Sequence, residues 1–176
     1  MDVFEAIQKR KSNRNYETLN IPKETLEKLL DAARLSPSAK DIQPWHFIIV
    51  TGAEKREMLS KGLFAKCLKD APVVIVLCGD QKASPDWYIV DVALAGENMV
   101  LAATAEGLGT CWVDSFDEKD VKALLGVPEN LRVVALLAVG YSVEKVSMAA
   151  KILHLVRRRK SLREIASWEM YGQEAQ

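Results

Sequence analysis

The amino-acid sequence predicts an α+β fold, a sheet with helices packed on it. Short apolar runs rich in β-branched and aromatic residues, such as those at 45–50 and 73–78, read as strands. Longer stretches with apolar residues three and four apart read as helices. The order is helix, helix, strand, helix, strand, long helix, strand, helix, strand, tail. It lacks the regular βαβ alternation of a parallel α/β sheet.

Val3, Phe4 and Ile7 recur at helical spacing, which predicts a first helix over 2–11 with Asp2 as its N-cap. Pro22 opens a second helix, where its missing N–H costs nothing. Leu26, Leu29, Leu30 and Ala33 form the buried stripe of that helix, and Ser36-Pro37-Ser38 ends it. A loop over 36–44 leads to the first strand at 45–50. Residues 53–63 are charged and helically spaced. The second strand, 73–78, is apolar on both faces and therefore central. The longest periodic segment, 87–106, is rich in alanine and broken by Asp91, Glu97 and Asn98. A helix so apolar all round is expected in the core or a subunit interface. Gly107-Leu108-Gly109 stops it before a third strand at 110–113. A short helix at 118–125 is closed by Gly126 and Pro128, and a fourth strand, 131–139, stops at Gly140. The tail follows from Ser142.

The 176 residues suit one domain, 1–176. With 24 basic and 24 acidic residues the formal net charge is +0, which argues against bulk nucleic-acid or membrane-surface binding. Cys67, Cys78 and Cys111 are odd in number and lack C-x-x-C spacing, so neither a disulfide framework nor a zinc site is expected. Cys78 ends an apolar run and reads as a small buried hydrophobe. No signal peptide and no bilayer-length apolar run is expected, and the predicted compartment is the cytoplasm.

Familiar catalytic signatures are missing. Trp112 stands where a dinucleotide fingerprint would carry its third glycine. His46 and His154 have no metal-type spacing. What stands out is Arg10-Lys11-Ser12-Asn13-Arg14, three cations and a hydroxyl where the first helix ends, and a second cluster at Arg157-Arg158-Arg159-Lys160. Two basic clusters on a neutral background suit a compact dianion such as a phosphate monoester, with arginine forks and the Ser12 hydroxyl as donors. The competing readings are a solvated helix end, whose cations favour the C-terminal dipole, and a solvated basic tail. The loop at 36–45 is dense in small polar groups and stiffened by two prolines. It either presents fixed donors and acceptors or merely connects helix to strand. Asp114-Ser115-Phe116-Asp117 reads at its plainest as a helix N-cap.

The ordered set of these pieces resembles the flavin-dependent nitroreductase family. The resemblance rests on Arg10 to Arg14, Pro37-Ser38-Ala39, Gln43-Pro44-Trp45 and Ala71-Pro72 before an apolar strand. It continues through 107–112, Leu125-Gly126-Val127-Pro128, Val139-Gly140-Tyr141 and Arg159-Lys160-Ser161-Leu162. It implies a mixed, mainly antiparallel sheet and an intertwined homodimer with FMN in the subunit interface. Arg10, Lys11, Ser12 and Arg14 would take the phosphate and ribityl end, joined by Arg157 and Arg159. Pro37, Ser38, Ala39, Asp41 and Gln43 would reach the cofactor from the other subunit. Asp114 and Ser115 would lie beside the flavin ring, with the Ser115 backbone N–H donating to N5. NAD(P)H would deliver hydride to N5 and leave, and a small acceptor such as a nitroaromatic or quinone would take its place. The flavin carries the chemistry, so no protein acid, base or nucleophile is required.

Two departures from the family pattern matter. Asp41 stands where the usual loop has Asn, and an ionised Asp accepts but does not donate. The stretch between Cys78 and Trp87 is compact, so a lid insertion over the substrate is reduced or missing. Two other readings stay open: a flavoenzyme on the same scaffold with different chemistry, such as reductive dehalogenation or an oxygen-dependent reaction, and a non-catalytic module that binds through its basic clusters.

Overall fold

The computed structural model describes residues 1–143 and 159–173. They fall into two compact units, one spanning Met1–Val143 and the other drawn from Glu144–Gln176. In the first unit four strands form one sheet, β1 (Trp45–Val50), β2 (Val73–Asp80), β3 (Gly109–Val113) and β4 (Leu131–Gly140), in the order β1-β2-β4-β3. All three strand pairings are antiparallel. The parallel component is a single bridge, Ser12 with Thr110, outside the named strands.

Six helices belong to this unit: α1 (Val3–Lys9), α2 (Lys23–Arg34), α3 (Ala53–Leu59), α4 (Cys67–Asp70), α5 (Tyr88–Ala105) and α6 (Glu118–Leu125). The sheet separates two apolar layers, because successive strand residues point to opposite faces. On one face Val73, Ile75 and Leu77 of β2 and Leu137 and Val139 of β4 pack with Leu29 of α2 and Val92, Met99 and Val100 of α5. On the other face Val74, Val76 and Cys78 pack with Leu136, Ala138, Leu59, Leu68 and Val121. Ile75 and Leu77 are fully buried, each a contribution of about 1.5–3 kcal/mol relative to exposure.

Several local expectations hold. The Asp2 carboxylate accepts from the Glu5 N–H at 2.8 Å, as an N-cap should. β1 and α6 occupy their predicted ranges, and the Asp117 side chain caps α6. Cys78 is buried. Other boundaries move. α1 stops at Lys9 because Arg10 leaves the helical region, at ψ 128. The helix predicted over 53–63 ends at Leu59, and a separate turn, α4, follows at 67–70.

α5 has the length and apolar composition of a membrane span, yet Val92, Ala95, Met99, Val100 and Ala103 fill the core. Its Ile89, Val90 and Leu94 are exposed in the single chain, as are Val3, Phe4 and Ile7 of α1. The second unit holds one described helix, α7 (Leu162–Ile165), begun by a cap in which the Ser161 N–H and hydroxyl both donate to the Glu164 carboxylate.

Candidate functional site

The basic segment is pinned by its backbone. The Arg10 N–H closes α1 on the Ala6 carbonyl at 2.9 Å. The chain then runs beside β3, where Ser12 pairs with Thr110 and the Asn13 N–H donates to the Thr110 carbonyl at 2.8 Å. Gly109 permits this approach, since a Cβ there would stand 2.7 Å from Asn13 Cγ. Tyr16 fastens the far end: its hydroxyl donates to the Asn13 carbonyl at 2.6 Å. Burial pushes that hydroxyl's pKa up, so it stays a donor.

Arg10 is half-buried, while Lys11, Ser12 and Arg14 are exposed on this fixed backbone. The buried thiols of Cys67 and Cys111 both feel the Arg14 charge. The bond between the two thiols, aided by the Arg14 charge, lowers the Cys111 thiol from its usual value. The same bond, with burial, pushes Cys67 up.

β3 carries the chain from Thr110, beside Ser12, to Val113, about 10 Å on at 3.3 Å per residue. Asp114 and Ser115 follow before Asp117 caps α6. Asp114 is exposed and Ser115 half-buried. The loop after α3 closes on this turn, and the Phe64 N–H donates to Ser115 Oγ at 3.4 Å. Gly62 lies so near that a Cβ would fall 1.6 Å from the Ser115 carbonyl oxygen. Among the described residues the Ser115 N–H makes no hydrogen bond. One strand therefore joins a cationic stretch to a turn with an available donor.

The loop between α2 and β1 holds Pro37, Ser38, Ala39, Asp41 and Gln43. It contains a short 3-10 turn, Ala39–Asp41, and three non-glycine residues at positive φ: Lys40 at 54°, Asp41 at 55° and Gln43 at 52°. Such backbone is sterically costly outside glycine and concentrates at functional sites. Internal bonds support it. The Gln43 N–H donates to Ser38 Oγ at 2.9 Å, and Gln43 Nε2 donates to Asp41 Oδ1 at 3.0 Å. The Ala39 N–H donates to Asp91 Oδ1 at 3.1 Å, and Asn98 Nδ2 donates to Ser36 Oγ at 2.7 Å.

The Arg10–Arg14 segment thus meets β3 at Thr110, and Asp114 and Ser115 follow the far end of the same strand. The 36–44 loop is anchored instead on α5, and among the described residues no hydrogen bond ties it to either group. Arg159 is exposed within the second unit, and Arg157 lies outside the described residues. Sequence reasoning missed Tyr16, Gly62, Asp91 and Asn98. Gly62, Asp91 and Asn98 act through partners distant in the chain, which no local pattern signals, and Tyr16 through the turn it makes with Asn13.

Comparison with known proteins bears on the family. A family model described as the nitroreductase family matches residues 7–65 and 59–141. A Methanothermobacter thermautotrophicus protein, provisionally named NADH dehydrogenase/NAD(P)H nitroreductase, is 38% identical over 154 residues, 82% of this chain and 79% of its own. The solved structure of an FMN-dependent nitroreductase from Clostridium difficile R20291 is 32% identical, with a TM-score of 0.75 over 90% of this chain and 99% of that one. An iodotyrosine deiodinase of Thermotoga neapolitana is 27% identical over 165 residues, 79% of this chain and 88% of its own. By sequence and by fold, the chain belongs to the nitroreductase family.

Proposed function

We propose that the chain is an FMN-dependent NAD(P)H oxidoreductase that works as a homodimer on nitroaromatic, quinone or similar planar acceptors. One observation carries the reading: the Arg10–Arg14 segment is held along β3, the strand that ends at the Ser115 turn. A dianion at one end and a polar ring atom at the other would both find donors there.

The donor set suits FMN. Arg10, Lys11 and Arg14 supply charge for a phosphate and Ser12 a hydroxyl, which offsets the cost of desolvating a dianion. In this reading the Ser115 N–H would donate to N5, where a fixed donor favours developing charge. When bound, the flavin supplies the redox chemistry, taking hydride from NAD(P)H and passing electrons to the acceptor in a ping-pong cycle. Arg157 and Arg159 complete the phosphate contacts in this reading, and Pro37, Ser38, Ala39, Asp41 and Gln43 serve the partner subunit's cofactor.

A dimer also gives an occupant to the apolar side chains of α1 and α5, two packed helices that expose Phe4, Ile7, Ile89 and Leu94. Three free thiols suit the reducing cytoplasm. Membership in an oxidoreductase family displaces the reading as a non-catalytic basic module. Likeness to an iodotyrosine deiodinase keeps reductive dehalogenation as the second reading. The purified protein is expected to be yellow and to release FMN on heating. A colourless protein that takes up no added FMN would overturn the proposal.

A further inference from the structure

Asp91 has no role in the function described above. It sits in the first turn of α5 with only 3% of its surface exposed, so its carboxylate needs internal partners. Both oxygens have one. Oδ1 accepts from the Ala39 N–H at 3.1 Å, and Oδ2 accepts from the Ser84 hydroxyl at 3.3 Å. Two turns further along α5, Asn98 Nδ2 donates to Ser36 Oγ at 2.7 Å, and Ser36 is itself buried. α5 therefore grips the 36–44 loop at Ser36 and at Ala39.

Beyond the second grip the backbone becomes unfavourable. Lys40, Asp41 and Gln43 all occupy the left-handed region, and only Asp41 is a residue type that tolerates it well. An exposed loop would relax from such a conformation unless its base were fixed. The Asp91 bond falls on Ala39, immediately before the first strained residue. A buried carboxylate also bonds an N–H more strongly than a neutral acceptor does.

We infer that Asp91 is a positioning residue, which with Asn98 holds the loop from Ser38 to Gln43 in the conformation that meets the cofactor. This rests on the reading that the loop contacts FMN. Asp91 touches neither flavin nor acceptor. It acts through the Ala39 amide.

The test compares wild type with Asp91→Ala, which removes the acceptor, and Asp91→Asn, whose amide oxygen can still accept from Ala39. Hydrogen exchange of the peptide covering Ser36 to Gln43, measured without added flavin, reads the grip itself. FMN titration reads its consequence. Asp91→Ala is expected to speed exchange of this peptide and weaken FMN binding, each by about tenfold or more, as for loss of one charge-assisted bond. Asp91→Asn should restore both most of the way. Should Asp91→Ala not fold, Asn98→Ala opens the Ser36 end and is expected to act in the same direction. Unchanged loop exchange in the folded variant overturns the grip. Faster exchange with FMN affinity within about twofold of wild type overturns the role toward the cofactor. A wild-type protein that binds no FMN defeats the functional reading instead, and the exchange measurement still decides whether Asp91 holds the loop.

Discussion

Gly62→Ala tests the link between the α3–α4 loop and the Ser115 turn. A Cβ at position 62 would lie 1.6 Å from the Ser115 carbonyl oxygen and 2.7 Å from its carbonyl carbon. Real Cβ contacts respect 3.0 Å, so the two segments must part by about 1.4 Å. The obstacle is backbone, not the end of a flexible side chain. Ser115 also has little room to retreat, with β3 ending at Val113 and the α6 cap at Asp117. Overpacking of this kind costs about 1–3 kcal/mol, read as a lower urea midpoint at unchanged slope. Lys61→Ala, an exposed neighbour, should stay within about 0.5 kcal/mol of wild type.

The functional readout is sharper. A donor moved by more than 1 Å from a bond of about 2.9 Å no longer makes one. A bond to developing negative charge contributes about 1.5–3 kcal/mol, so the two-electron potential of bound FMN should fall by roughly 30–60 mV. Redox titration of the FMN-loaded variant measures this. Unchanged stability and unchanged potential would refute the close approach of Gly62 to Ser115. Lost stability with an unchanged potential would remove Ser115 as the N5 donor.

Other perturbations address separate parts of the account. Arg10→Ala and Arg159→Ala should each weaken FMN binding roughly 10- to 150-fold, as expected when one charge-assisted bond is lost; unchanged affinity in both would remove the phosphate assignment. Asp41→Asn removes a negative charge and adds a donor beside the ring, so the flavin midpoint should rise, and no shift on redox titration would mean that Asp41 does not approach it. Glu118 accepts from Arg132 Nη2 at 2.7 Å and Nε at 2.8 Å, and from the Val133 N–H at 2.9 Å. The Arg132 bond, with help from Val133, holds its carboxyl below the usual 4.5. A carboxyl depressed in the folded state stabilises above its unfolded pKa and loses that contribution as pH falls through the folded one. Glu118→Gln should therefore cost about 1–2 kcal/mol at neutral pH, discounted for its partial exposure. The deficit should vanish in urea titrations well below pH 4.5; a deficit independent of pH would contradict the assignment.

Where structure follows from local punctuation, the sequence was legible. α6 lies between the Asp117 cap and Gly126, and β1 is a short aromatic and β-branched run after Pro44, so both appear in their predicted ranges. The helix predicted over 53–63 from its charged, helical spacing is too long, since Leu63 is 81% exposed on a loop that turns at Gly62. α4 is a single turn, too short to show a period. In the site, the cationic segment ends a helix at the Arg10 cap, and the residues after it run beside a strand. What fixes them is a pairing of Ser12 with Thr110, far apart in the chain and without sequence signature. Asp91 read as a polar interruption in an apolar helix, because only its burial and its contact with Ala39 reveal what it holds.

The central claim is that this chain accepts electrons from a nicotinamide onto bound FMN, and anaerobic stopped-flow mixing of the FMN-loaded protein with NADH and, separately, NADPH tests it most directly. At least one of them should bleach the oxidised-flavin band within catalytic time, and a quinone or nitroaromatic should then restore it. If neither nicotinamide bleaches a fully loaded protein, the assignment as an NAD(P)H oxidoreductase is contradicted.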